Sequence, residues 1–112
     1  MVKRVLILTF PLLLFADLVC KIEGERIYCT YFINRSDNLD GITVRFHWYS
    51  PSGKDDRVKE FAVPPLYGSV YDYRFLPGRE SGRWRVVATE LETNKSAQAT
   101  FDLNVSEDFF EE

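Results

Sequence analysis

The stretch "LVCKIEGERIYCTYFIN", residues 18–34, decides the fold because it has the pattern of one complete β-hairpin. Apolar and polar residues alternate on both sides of Gly24-Glu25, and a glycine at the first central position suits a two-residue type II′ turn. In the register that this turn sets, Cys20 faces Cys29. The side chains predicted on one apolar face are Leu18, Cys20, Ile22, Ile27, Cys29, Tyr31 and Ile33.

Cys20 and Cys29 are the only cysteines of the chain, and four roles are open to them: a redox pair, a metal clip, a lipid attachment point or a disulfide. The C-x8-C spacing is neither a C-x-x-C redox motif nor a zinc motif, and His47 is the only histidine. Val19 departs from the small residue that precedes the cysteine in bacterial lipid attachment. Directly opposed residues lie within disulfide reach. The sequence therefore predicts a Cys20–Cys29 disulfide, with no metal and no cofactor.

The first sixteen residues have the pattern of a secretory signal peptide. Lys3 and Arg4 precede the apolar run 5–16, which is shorter than the roughly 20 residues that a membrane span needs. Ala16 supplies a small residue at the predicted cleavage point. A buried N-terminal strand is the alternative interpretation. We therefore expect a periplasmic or secreted protein, in a compartment where disulfides persist.

Removal of residues 1–16 leaves 96 of the 112 residues, enough for one small domain. The remaining chain has 12 basic and 17 acidic residues, so its net charge is −5, which argues against nucleic acid as a partner. No second apolar run has membrane length, so no stable membrane span is expected in the mature chain. The predicted limits are 17–106 for the domain and 107–112 for an acidic tail, which either frays or serves as a short docking segment.

Short alternating segments separated by turn residues continue along the chain. The predicted strands cover residues 18–23, 26–34, 42–50, 57–63, 69–76, 83–92 and 96–105. Seven such strands, with no sustained helical periodicity, predict an all-β, seven-stranded immunoglobulin-like β-sandwich preceded by the signal peptide. In that fold the third and sixth strands are neighbours, and Trp48 is the inward tryptophan of the third.

The second half of the chain carries a set of spaced aromatic, proline and glycine residues. They are Trp48, Pro77, Gly78, Gly82, Trp84, Val86, Phe101 and Leu103. This pattern resembles small immunoglobulin-like domains of exported bacterial proteins, many of them of unknown function. The resemblance covers about the last sixty residues. It implies the sandwich fold and assigns no functional site.

The sequence holds no set of residues arranged for catalysis. His47 lies between Arg45 and Tyr49 on the outward side of its strand, and neither is a carboxylate that orients an imidazole. The adjacent carboxylates at 55–56, 107–108 and 111–112 fall in turns or in the tail, without the ligand spacing of a calcium loop. We therefore expect that the protein is not an enzyme.

A basic and aromatic patch is the predicted binding surface. It combines the outward residues of the third and sixth strands, which are Arg45, His47, Tyr49, Arg83 and Arg85. Arginine binds carboxylates bidentately, so an acidic protein segment, a carboxylate or an anionic glycan would fit. The alternative interpretation is that these side chains serve solubility and cross-strand pairing.

Two Asn-x-Ser sequences are predicted glycosylation sites. Asn94 in "ETNKS" and Asn104 in "DLNVS" each follow an acidic residue by two positions, which resembles the acceptor pattern of bacterial general N-glycosylation. Asn34 in "FINRS" departs from the pattern because Phe32 stands at the acidic position. Chance occurrence in a chain rich in polar turns is the alternative.

The expected function is a non-catalytic, extracytoplasmic interaction or assembly module of the bacterial envelope or of a surface structure, with another envelope or surface protein as its partner. The alternative is a carbohydrate- or anionic-ligand-binding module. That module would stack sugars on exposed tyrosines, namely Tyr28, Tyr49 and Tyr67. An enzyme ranks third.

Overall fold

The structure, a computed structural model, describes the backbone of residues 6–7 and residues 17–36 and 39–104. Its strands are β1 Leu6–Ile7, β2 Leu18–Glu23, β3 Arg26–Phe32, β4 Ile42–Tyr49, β5 Arg57–Val63, β6 Ser69–Phe75, β7 Gly82–Glu90 and β8 Ser96–Leu103. None of the described residues forms a helix of the length and hydropathy that a membrane span needs. The predicted all-β class is confirmed, and each of the seven predicted strands is present.

Two antiparallel sheets pack in a sandwich-like arrangement. The small sheet has the order β2-β3-β6, and the large sheet has the order β1-β8-β7-β4-β5. In the two-residue β1, Leu6 and Ile7 pair with Asp102 and Phe101 of β8. The rest of the predicted signal peptide, and the predicted tail 107–112, lie outside the described residues.

The fourth predicted strand, β5, does not have the position that it has in the constant form of the immunoglobulin sandwich. In that form the fourth strand lies beside the fifth strand. Here β5 pairs with β4, from Ile42 opposite Val63 to Trp48 opposite Arg57. The turn between them is closed locally, because Asp56 Oδ1 accepts hydrogen bonds from the Ser50 backbone N–H at 2.6 Å and from Ser50 Oγ at 2.9 Å. This turn returns the chain directly onto β4.

The hairpin of β2 and β3 has the predicted register, with Cys20 opposite Cys29. Gly24 has a φ of 64°, as the first central position of a type II′ turn requires. Both cysteines are buried and form the predicted disulfide. Closing a loop of this length contributes about 2–3 kcal/mol in the chain-entropy model.

Aromatic side chains from the large sheet fill the core. Trp48, Trp84, Phe46 and Phe101 are each at most 1% exposed, and the Trp84 and Phe101 rings lie parallel at 6.2 Å between centroids. The predicted inward orientation of Trp48 is therefore confirmed. Gly82, which begins β7, has a φ of 131°, and a Cβ there would lie 2.8 Å from the Pro51 ring, so this position requires glycine.

Strand β6 turns its charged side chains inward. Asp72 is 3% exposed and accepts hydrogen bonds from the Trp48 indole N–H at 2.8 Å and from Arg57 Nη2 at 2.7 Å. Arg74, 8% exposed, donates to Asp55 Oδ1 at 2.9 Å. Buried charges are tolerated when they are paired and hydrogen-bonded, as these are. Because side chains alternate along a strand, the aromatic residues of β6 must face outward.

Candidate functional site

The outer face of the large sheet carries the five residues of the predicted patch. Strands β4 and β7 are neighbours as predicted, and Tyr49 lies directly opposite Arg85. The His47 and Tyr49 rings stack with centroids 3.8 Å apart and planes 9° apart, and Arg85 Cζ lies 4.2 Å from the Tyr49 centroid. Arg85 also reaches Gln98 Oε1 at 3.4 Å. These three side chains form one stack along the sheet surface.

The other two arginines of the patch already have carboxylate partners. Arg45 Nε donates to Glu60 Oε2 of β5 at 2.9 Å. Arg83 binds Asp102 of β8 bidentately at 2.8 and 3.1 Å, and this hydrogen bonding raises the pKa of Arg83. The sheet thus supplies two acids that neutralise two of the three arginines. Cross-strand pairing, the alternative interpretation of these residues, accounts for this geometry.

The outer face of the small sheet is a second surface, here named the aromatic face. It consists of Val19, Tyr28, Phe32, Tyr71, Tyr73 and Phe75. Tyr71 is 54% exposed, Phe75 49% and Phe32 48%. A contiguous group of large apolar side chains that stays this exposed is a candidate interaction surface.

Tyr28, on the central strand, contacts two other tyrosine rings of the aromatic face. Its ring centroid lies 5.5 Å from that of Tyr71 and 5.4 Å from that of Tyr73, with interplanar angles of 62° and 40°. Tyr73 in turn meets Phe75 edge-to-face at 5.9 Å and 90°. Such tilted contacts are favourable between aromatic rings, and they give the face an uneven surface with no common ring plane.

Cationic side chains border the aromatic face. The Arg26 guanidinium lies 4.9 Å from the centroids of both Tyr73 and Phe75, and its Nη1 donates to Tyr28 Oη at 3.2 Å. This hydrogen bond raises the pKa of Arg26. On the neighbouring strand, Lys21 and Glu23 form an exposed ion pair at 3.5 Å. Two cationic side chains and one acidic side chain thus lie beside the rings. The chain as a whole has a negative net charge.

A groove of about 300 Å³ runs along β3 between side chains of β2 and β6. Its lining residues are Val19, Lys21, Glu23, Tyr28, Thr30, Phe32 and Tyr71. Four of these seven side chains are apolar or aromatic, two are charged and one is a threonine. This arrangement suits a ligand that combines apolar side chains with negative charge.

The alternation of β6 does not by itself tell which side is buried, so the sequence did not identify the aromatic face. The buried Asp72 and Arg74 decide the orientation, and their partners come from β4 and from the β4–β5 turn. The tyrosines expected to stack sugars do not share a surface. Tyr28 lies in the groove, Tyr49 lies on the large sheet, and Tyr67 is exposed in the β5–β6 connection.

The predicted glycosylation sites are exposed. Asn94 lies in the β7–β8 turn with a φ of 65°, and Asn104 directly follows β8. Asn34 Oδ1 accepts hydrogen bonds from the Ser36 backbone N–H at 3.0 Å and from Ser36 Oγ at 2.6 Å. Glycosylation of Asn94 and Asn104 stays a prediction.

In the described ranges, no group of three or more His, Cys, Asp or Glu side chains is placed to hold a metal ion. No protein-family model, curated protein or solved structure matches the chain.

Proposed function

We propose that the protein is a non-catalytic, extracytoplasmic interaction module of immunoglobulin-like type, serving the bacterial envelope or a surface structure. It binds a short segment of a protein partner on the aromatic face, and that segment carries apolar side chains and acidic groups. The observation that carries the proposal is the half-exposed set of rings on the small sheet, among them Tyr71 and Phe75.

The disulfide and the signal-peptide pattern support the location. The Cys20–Cys29 bond is of the kind that forms and persists in oxidising compartments. Lys3, Arg4 and the apolar run that follows have the composition of an export signal. The two-sheet arrangement supports the immunoglobulin-like type, with β5 on the large sheet as a departure from its constant form.

The size of the aromatic face supports a short segment as the ligand. Three strands of about seven residues present roughly 330 Å² on one side of a sheet. A stable interface between two folded proteins buries about 800 Å² on each partner. A peptide of a few residues fits the smaller area.

The charges favour an acidic ligand. Lys21 and Arg26 stand at the border of the rings, with Glu23 as the one acid of that border in the groove. Carboxylates gain charge-assisted hydrogen bonds from such cations. The ligand's apolar side chains would cover Tyr71 and Phe32, which are now open to solvent.

Selection from a random peptide library displayed on phage tests the proposal on the full chain. We expect enriched peptides with two apolar or aromatic residues flanked by Asp or Glu. Tyr71→Ser should weaken their binding about tenfold, because one buried aromatic contact of this kind contributes about 1.5 kcal/mol. Tyr67→Ser removes a similarly exposed tyrosine outside the aromatic face and should leave binding unchanged. Circular dichroism melting curves confirm that both variants fold.

Carbohydrate binding is the second candidate, because Tyr28 lies in the groove beside the polar Lys21 and Thr30. A glycan array distinguishes the two. Glycan binding that Tyr71→Ser abolishes, together with no enriched peptide, would replace the proposed function by this one. If neither peptides nor glycans bind, the aromatic face is not a binding surface.

A further inference from the structure

We infer that a segment of the same chain, residues 105–112, occupies the groove of the aromatic face and competes with an external ligand. The inference rests on the proposed function and names a regulator of the same surface. The segment "VSEDFFEE" lies outside the described residues, and its sequence holds Phe109-Phe110 between two acidic pairs. That composition is the ligand chemistry derived above from the groove.

The contacts that this segment can make are complementary to the groove. Its two phenylalanines match the open rings of Tyr71 and Phe32, since aromatic pairs gain from edge-to-face and offset contacts. Its four acidic residues match Lys21 and Arg26 at the border, where the carboxylates would accept charge-assisted hydrogen bonds.

Strand β8 ends at the same end of the sandwich as the β2–β3 turn. Leu103 is paired with Gly82, three residues after Arg79, whose backbone N–H donates to Leu76 O at 2.9 Å. Leu76 in turn donates to Glu25 O at 2.8 Å, so β8 ends on the side of the β2–β3 turn. Strand β2, which contributes lining residues to the groove, is in contact with β8.

The length of the segment is comparable with that of the groove. Five residues from Asn104 to Phe109 span up to about 17 Å when extended. The groove wall from Glu23 to Val19 extends about 13 Å along β2, because each residue of a strand rises about 3.3 Å. The extended reach of the segment therefore exceeds the length of this wall.

Attachment in the same chain favours this occupant over a second copy. A short connection gives the segment an effective concentration in the millimolar range, so even a weak contact is populated. A second copy that placed its own aromatic face on this one would cover a flat footprint of only roughly 330 Å², which is small for the interface of a stable dimer.

The test compares the full chain with its Phe109→Ser/Phe110→Ser variant, and uses Leu39→Ser, which removes an exposed leucine elsewhere, as the matched control. In NMR spectra, the double variant should shift the amide signals of Thr30, Phe32 and Tyr71 and leave that of Val87 on the large sheet unchanged. The shifts should not depend on protein concentration. A library-selected peptide should bind the double variant about tenfold more tightly than the parent, because the competing segment no longer occupies the groove.

The outcomes separate this inference from the proposed function. Unchanged signals on the aromatic face, with equal peptide affinity for both proteins, overturn the inference and leave the proposed function standing. Shifts that grow with protein concentration also overturn it, since they place the segment on a neighbouring molecule. Failure of every peptide to bind the double variant removes the proposed function itself.

Discussion

The two outer faces of this sandwich carry similar residue types and differ in what those residues already contact. On the large sheet, Arg45 and Arg83 bind the carboxylates of Glu60 and Asp102. On the small sheet, rings such as Tyr71 contact one another and still expose about half of their surface. A dense set of arginines is therefore weak evidence for a binding site until the partners of those arginines are known. An apolar area that nothing covers is stronger evidence.

The largest expected effect concerns Asp72, which fixes the direction in which β6 faces. Asp72→Ala removes the carboxylate shared by the Trp48 indole and Arg57, and it leaves a partly buried guanidinium without its acid. We expect the free energy of unfolding to fall by about 3–5 kcal/mol, measured by urea denaturation. Asp102→Ala breaks an exposed pair on the large sheet and should cost about 0–1 kcal/mol. Equal losses in the two variants would contradict the assigned role of Asp72.

A smaller loss of stability is expected at β3, where two tyrosines face opposite sides of the sheet. Tyr31 points inward and donates to Glu90 Oε2 at 2.6 Å, with both residues at most 3% exposed. Tyr31→Phe removes this charge-assisted hydrogen bond and should lower the free energy of unfolding by about 1.5–3 kcal/mol. Tyr28→Phe on the aromatic face should have a much smaller effect, because its hydroxyl is only partly buried. Urea denaturation of both variants measures the difference.

The hydrogen bond between Tyr31 and Glu90 also predicts that the stability of the fold depends on pH in the alkaline range. Burial, and then the hydrogen bond to Glu90, raise the pKa of Tyr31 above its ordinary value. The unfolded chain releases this proton near pH 10, while the folded chain retains it. The stability contributed by Tyr31 is therefore fully present below about pH 10 and is lost as the pH rises above it. Tyr31→Phe should flatten this decline, and an unchanged slope would contradict the raised pKa.

The smallest expected effect comes from the large sheet. Arg83→Glu with Arg85→Glu reverses two charges of the predicted patch and removes the exposed pair with Asp102. We expect peptide binding to the aromatic face to remain unchanged and the free energy of unfolding to fall by at most about 1 kcal/mol. Isothermal titration calorimetry with a selected peptide measures the first quantity. Loss of peptide binding in this variant would show that the peptide binds the patch on the large sheet instead of the aromatic face.

Much of the fold could be predicted because its signals are local. A strand's period of two needs only neighbouring residues, and Gly24 sets the register that brings Cys20 to Cys29. The inward positions of β4, such as Phe46, follow from the same alternation. The pairing of β5 with β4 was harder to predict from the sequence, because it depends on which sheet the chain joins after the turn at 50–56.

The candidate site was harder to predict because its determinants are distant in sequence. In β6, aromatic and charged residues alternate, and either set could fill the core by pattern alone. The choice depends on Trp48 and Arg57, which supply partners to Asp72 from 24 and 15 residues away. Likewise, the acid opposite Arg83 is known only once β8 is placed beside β7.

The Cys20–Cys29 bond has a mechanical consequence for the β2–β3 hairpin. Within the β2–β3 hairpin, a pulling force applied before β2 can open the pairs that precede the bond, Leu18 with Tyr31 and Val19 with Thr30, but not those beyond it. Beyond Cys20 the load passes through the covalent bridge into β3, so Lys21 to Glu23 bear no tension. One wall of the groove, formed in part by Lys21 and Glu23, therefore keeps its shape while the chain is under tension.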